Sequence, residues 1–137
     1  MATIKAFIAG FLSTLVFHQG LLALLYAAGL SPRAPYPMTS TEPLGIPAVI
    51  SLAFWGGVWG AAIWPLLRTA RGGAYWIRAL IIGAIAPSAV ALFIVFPLKG
   101  LGMAGGWDPK IIVGALLLNG AWGVGVAVFM RGLQRLP

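Results

Sequence analysis

His18 is the only histidine in the sequence, and it lies midway along a long apolar run with Gln19 directly after it. Two further apolar runs carry a central polar group: Ser88 beside Pro87 in one, and Asn119 in the other. In the remaining run the centre is the pair Gly56 and Gly57. An imidazole, a hydroxyl and two carboxamides at one depth can do two kinds of work. They can hydrogen-bond helices to one another, at about 0.6 kcal/mol per bond in membrane settings. They can also hold a small molecule, an ion, a quinone or a pigment, since ionisable residues inside a membrane mark functional sites by default. The sequence therefore predicts a central polar cluster of His18, Gln19, Ser88 and Asn119, closed by the surface of Gly56 and Gly57. Pro87 adds a carbonyl acceptor one turn earlier, around Gly83, because proline has no N–H to offer it.

The same residues exclude several chemistries. No Asp or Glu lies in any apolar run, so carboxylate-driven proton exchange has no carrier. Ser13, Thr14 and Ser88 lack the orienting acid that an activated nucleophile needs at their depth. One histidine and no cysteine cannot make a protein metal site, a disulfide or a thiol redox centre. The expectation is a protein that is not an enzyme. His18 can still serve as a single axial ligand to haem or chlorophyll, and a homodimer would bring two such rings together. Trp55 and Trp59, one helical turn apart, would flank a flat ring or pack against lipid. The glycine-rich segment 99–107 lacks the spacing of a phosphate-binding loop.

Composition defines the elements that position these groups. With 61% hydrophobic and 8% charged residues, the chain falls far below the roughly 25% charge of soluble domains, so lipid is its expected solvent. Four apolar runs, at about 6–30, 46–67, 79–98 and 111–130, each reach the roughly 20 residues that a bilayer-crossing helix requires. The predicted fold is all-α: an integral membrane protein with four transmembrane helices as two antiparallel hairpins, forming one domain over residues 1–137. The first run exceeds the roughly 7 to 15 residues of a signal-peptide core. Gly29 with Pro32 is the stop signal of the first helix, and Asp108-Pro109 the start signal of the fourth. Arg68 and Arg131 close the second and fourth, where a cation suits the helix dipole.

Small residues recur every four positions: Gly10, Thr14 and His18; Ala53, Gly57 and Ala61; Gly56 and Gly60; Ala79, Gly83, Pro87 and Ala91; Ala115, Asn119, Gly123 and Ala127. Such stripes let helix backbones approach closely where lipid supplies no hydrophobic drive, so Gly10, Gly56, Gly57, Gly60, Gly83 and Gly123 are expected packing positions. A similarity between 55–60 and 119–123 would suit a duplicated hairpin. The proline-rich segment 31–45 should run extended as a stiff connector.

The net charge of +7 comes from nine basic residues scattered at the ends of the apolar runs. That placement speaks for topology and anionic-lipid contact, and against nucleic acid. Lys5, Arg68, Arg71, Arg78, Arg131 and Arg135 share one side of the expected topology, and Arg33, Lys99 and Lys110 the other. The excess sets both termini in the cytoplasm. Tyr75 and Trp76 on the inner side and Trp107 on the outer are expected interface anchors.

The segments Phe17-His18-Gln19, Phe54-Trp55-Gly56-Gly57-Val58-Trp59-Gly60 and Asn119-Gly120-Ala121-Trp122-Gly123 together resemble a group of small four-helix bacterial inner-membrane proteins. The resemblance covers most of the chain and implies the fold and the bacterial inner membrane. It implies no activity and no catalytic residue. The leading functional expectation is an accessory or assembly subunit packed among lipids against a larger membrane complex. The alternatives are a homo-oligomeric channel or transporter using the central polar site, and binding of haem, pigment or quinone through His18.

Overall fold

The computed structural model describes residues 1–137 and is all-helical, with 73% of the chain in helix. Four helices are long and apolar enough to cross a membrane: α1 (Ala2–Ala27), α2 (Ala48–Leu67), α3 (Gly73–Leu98) and α4 (Pro109–Leu133). Their bounds differ from the apolar runs for local reasons. α1 stops at Ala27 because Gly29 turns left-handed at φ 74°, so that the Leu30 N–H reaches back to the Leu25 carbonyl and the Gly29 N–H to that of Tyr26. This glycine-terminated closure satisfies carbonyls that the helix would otherwise leave open. α3 begins at Gly73 rather than near residue 79, and α4 continues past Arg131, since a cation ends an apolar run without ending a helix. At the start of α4 the Asp108 carboxylate accepts the Lys110 N–H at 2.9 Å, and Pro109 follows at the first helical position.

α1 packs against α2 on one side and α4 on the other, α3 packs against α4, and α2 and α3 touch only sparsely. The packing order is therefore α2, α1, α4, α3. Glycine sets both closest approaches. A Cβ on Gly10 would collide with the Gly56 carbonyl and the Gly60 backbone, and one on Gly60 with the Ala6 carbonyl. Across the other pair, a Cβ on Gly123 would collide with the Ala79 carbonyl and the Gly83 backbone. Gly57 differs from the expectation of backbone packing: it makes room for the Phe7 ring. Gly125, which no stripe contained, makes room for Ser13 and Phe17.

Hydrogen bonds stitch α1 to α4. The Ser13 hydroxyl donates to the Trp122 carbonyl at 2.6 Å, and the Trp122 indole N–H donates to the Gly10 carbonyl at 3.0 Å. Toward the end where the chain termini meet, with Lys5 Nζ donating to the Leu136 carbonyl at 2.8 Å, the bundle is filled by an apolar core. Ala6, Ile63, Trp64, Leu67, Val126 and Met130 are among its members. Tyr75 belongs to this core and is not an interface anchor. It is 5% exposed, and its hydroxyl donates to the Ala127 carbonyl at 2.9 Å, which gives a buried phenol its needed acceptor. The segment between α1 and α2 contains no helix. It folds on itself through a two-residue antiparallel ladder of β1 (Ser40–Thr41) and β2 (Ile46–Pro47).

Alanine at Gly10 or Gly123 should destabilise the bundle by about 1–3 kcal/mol, because a methyl group there overpacks a backbone contact. Alanine at Gly20 or Gly114, where an added Cβ meets nothing within 4 Å, should be neutral or stabilise by about 0.5–1 kcal/mol through helix propensity. Denaturant unfolding in detergent micelles measures both pairs.

Candidate functional site

The site begins with a local defect in α1. Thr14–His18 is a π-helical turn. At its entrance the Gly10 carbonyl accepts the Thr14 hydroxyl at 3.0 Å as well as the Trp122 indole. Side-chain donors inserted into the i to i−4 ladder favour such widening. At its exit the Gln19 N–H bonds the Thr14 carbonyl, five residues back. The Leu15 carbonyl is thereby released from the ladder, and the Tyr36 hydroxyl donates to it at 2.7 Å. The connector between α1 and α2 is thus fastened onto the defect.

Tyr36 makes a second contact, through its backbone. Its N–H donates to Gln19 Oε1 at 2.7 Å, and Gln19 Nε2 lies 3.1 Å from His18 Nδ1. A backbone N–H can only donate, so the amide orientation of Gln19 is fixed with its NH2 toward the ring. The neutral imidazole must then accept at Nδ1 and carry its proton on Nε2. Gln19 itself is 1% exposed and stands behind His18 as the residue that orients it.

On the opposite side, Asn119 Nδ2 donates to the Ser88 hydroxyl at 2.9 Å. Ser88 is 1% exposed, and the bond leaves Asn119 Oδ1 as a free acceptor. A cleft of about 130 Å3 lies between the two pairs. His18 and Thr14 line it from α1, Trp55, Gly56 and Trp59 from α2, Pro87 from α3, and Asn119 and Trp122 from α4. The four polar residues expected as one cluster thus form two hydrogen-bonded pairs, each of which contributes one member to the cleft. Of the two glycines expected to close the cluster, Gly56 lines the cleft and Gly57 does not. Pro87 also lines it, and the irregular stretch of α3 falls just beyond, in a π-helical turn over Ala91–Val95 ahead of Pro97.

The cleft faces outward where α2 and α3 touch only sparsely. Trp55 is 58% exposed at its mouth, and Trp122 is 3% exposed at its floor. The chemistry on offer is one donor, at His18 Nε2, one acceptor, at Asn119 Oδ1, and indole walls. A cavity of about 150 Å3 accommodates one benzene ring, so this cleft has room for one small ring or a comparable headgroup.

Sequence spacing missed three parts of the site. Trp122 was legible only as part of a repeated motif, Tyr36 only as a loop residue, and the role of Gln19 depends on Tyr36. The aromatic ring in an otherwise proline-rich connector is the one sequence signal that marks the fastening. No protein-family model, no curated protein and no solved structure matches this chain, and its site stands on its own geometry.

Gln19→Leu should remove the tautomer preference of His18 without removing the ring. With 15N-labelled imidazole, the single histidine gives one set of ring signals. The expected result is the Nε2–H form in the parent protein and a mixture of tautomers in the variant.

Proposed function

We propose that this chain is a non-enzymatic, multi-pass protein of the bacterial inner membrane. Its two helical hairpins are α1 with α2 and α3 with α4, and both termini are cytoplasmic. In this reading it serves as a small accessory subunit that holds a membrane-dissolved molecule for a larger complex. The basic residues support the orientation: Lys5, Arg68, Arg71, Arg78, Arg131 and Arg135 gather at the end where the termini meet.

The observation that carries the function is the lateral cleft, which His18 and Asn119 line together with three tryptophans, while His18 Nε2–H and Asn119 Oδ1 have no hydrogen-bond partner in the chain. Polar groups facing hydrocarbon are costly unless something satisfies them. A molecule that reaches the cleft through the lipid, accepting at one end of its headgroup and donating at the other, completes both bonds. Single-ring phenols and quinols have this pattern. Haem and chlorophyll do not fit a cleft of about 130 Å3. A pore along the bundle axis is disfavoured by the apolar core at the cytoplasmic end, where Leu67, Val126 and Met130 are each fully buried.

Purification of tagged protein from its native membrane in mild detergent tests the reading. Extracted small molecules and co-migrating proteins are both identified by mass spectrometry. The expected result is a lipid-soluble ligand at fixed stoichiometry, lost by about tenfold in His18→Phe and in Asn119→Ala, as one hydrogen bond of about 1 kcal/mol plus the stranded partner implies. Protein that carries neither ligand nor partner overturns it.

A further inference from the structure

The α2–α3 seam has a second opening, at the end where the termini meet, and its chemistry is unlike that of the cleft. A hollow of about 230 Å3 is lined by Arg68, Arg71 and Arg131 together with Trp64, Tyr75 and Gly72. No acidic residue lines it, and both acids of the chain, Glu42 and Asp108, lie in the connectors at the opposite end. Arg131 is held in place by aromatic faces, its guanidinium carbon 5.0 Å from the Tyr75 ring centre and 4.8 Å from that of Trp76. Cation–π contact of this kind fixes the group but leaves its charge uncompensated.

Two further observations make the hollow a site rather than a basic rim. Trp64 is 5% exposed, and its indole N–H is the one buried side-chain polar atom without a hydrogen-bond partner. An indole N–H can only donate, and a buried orphan is expensive, so an acceptor is missing here. The first turn of α3 opens on the same hollow. Gly72, at φ 57°, precedes it, and no side chain caps its N–H groups, which leaves the positive end of a long helix free for an anion.

We propose that this hollow binds the phosphodiester of an anionic phospholipid in the cytoplasmic leaflet. The phosphate oxygens accept from the first turn of α3 and, after a small turn of the buried indole toward the hollow, from Trp64 Nε1, and Arg68, Arg71 and Arg131 supply the charge. A lipid fits better than a free phosphate because apolar surface continues from the hollow along the seam. Leu66, whose carbonyl accepts from Arg78 across the seam, is 55% exposed, Ile77 next to Arg78 is 59% exposed, and Ile81 follows along α3, a path for acyl chains. This assignment rests on the membrane placement proposed above, but not on the ligand of the cleft.

The test uses the full chain, delipidated in detergent and titrated separately with phosphatidylglycerol, phosphatidylcholine and inorganic phosphate, with bound species counted by native mass spectrometry. One phosphatidylglycerol per chain should be retained about tenfold better than phosphatidylcholine. Arg68→Gln and Arg71→Gln should each weaken retention by about fivefold, the worth of one basic residue near an anionic surface. Trp64→Phe, which keeps the ring and removes the N–H, should weaken it by a similar factor, and Arg33→Gln at the other end should leave it unchanged. Equal retention of the two lipids overturns the proposal, as does parent-like retention in the Trp64 and arginine variants. Displacement of the lipid by equimolar phosphate reassigns the hollow to a soluble anion and overturns the lipid assignment. Failure of the parent chain to enter phosphatidylcholine nanodiscs would instead overturn the membrane placement itself.

Discussion

The carbonyl of Gly10 is the point on which the architecture depends. It accepts the Thr14 hydroxyl from its own helix and the Trp122 indole from α4, while its missing side chain admits the backbone of α2 at Gly56. One residue therefore ties three helices together at a single level. In hydrocarbon, where apolar surface offers no net drive to associate, close backbone approach and interhelical hydrogen bonds are what remain. Gly10 supplies both. The Ser13 hydroxyl closes the same stitch from the other direction by bonding the Trp122 carbonyl, so the indole can neither rotate away nor slide along α1.

The site follows from that stitch. Trp122, pinned at Gly10, becomes the floor of the cleft. Thr14, engaged with the same carbonyl, stands at the entrance to the π-helical turn that presents His18 and releases the Leu15 carbonyl to Tyr36. Through Tyr36 the connector between α1 and α2 reaches Gln19 and, through Gln19, selects the tautomer that His18 shows to the cleft. The imidazole at the centre of the molecule is thus set by a residue outside the helices, along a chain of short hydrogen bonds with defined donors.

Much of this was legible in the sequence where physics is local. The four apolar runs, the Gly29 stop, the Asp108-Pro109 start and the pairing potential of Gly10, Gly56, Gly60, Gly83 and Gly123 all depend on residues within a turn or two of one another. What spacing could not give was whatever follows a π-helical turn. A strict step of four residues places Gly10, Thr14 and His18 on one stripe, but the extra residue in the turn rotates everything beyond it. Gln19 consequently faces the connector. Long-range partners were equally hidden: nothing near Tyr75 in the sequence announces that its hydroxyl will meet the Ala127 carbonyl, and nothing near Trp64 that its indole N–H will be left without an acceptor.

The unequal treatment of the four helix pairs leaves one side of the molecule less closely packed than the others. α1 with α2 and α3 with α4 are closed by glycine on both faces, and α1 with α4 by the Ser13 and Trp122 stitch. The remaining pair, α2 and α3, presents Trp55 and Trp59 on one side and Pro87 on the other, shapes that cannot bring two backbones together. The cleft and the hollow both lie on this seam. Each has in its wall a residue whose donor the protein leaves unmatched, the His18 Nε2–H at the centre and the buried Trp64 indole at the end. A bundle that needed only to be stable would have placed small residues here too. The seam is kept apart by bulky aromatic residues at the level of the cleft and crossed near its end by Arg78, which donates to the Leu66 carbonyl and the Thr69 hydroxyl. In the proposed reading that distribution leaves the molecule to be completed by what enters between α2 and α3.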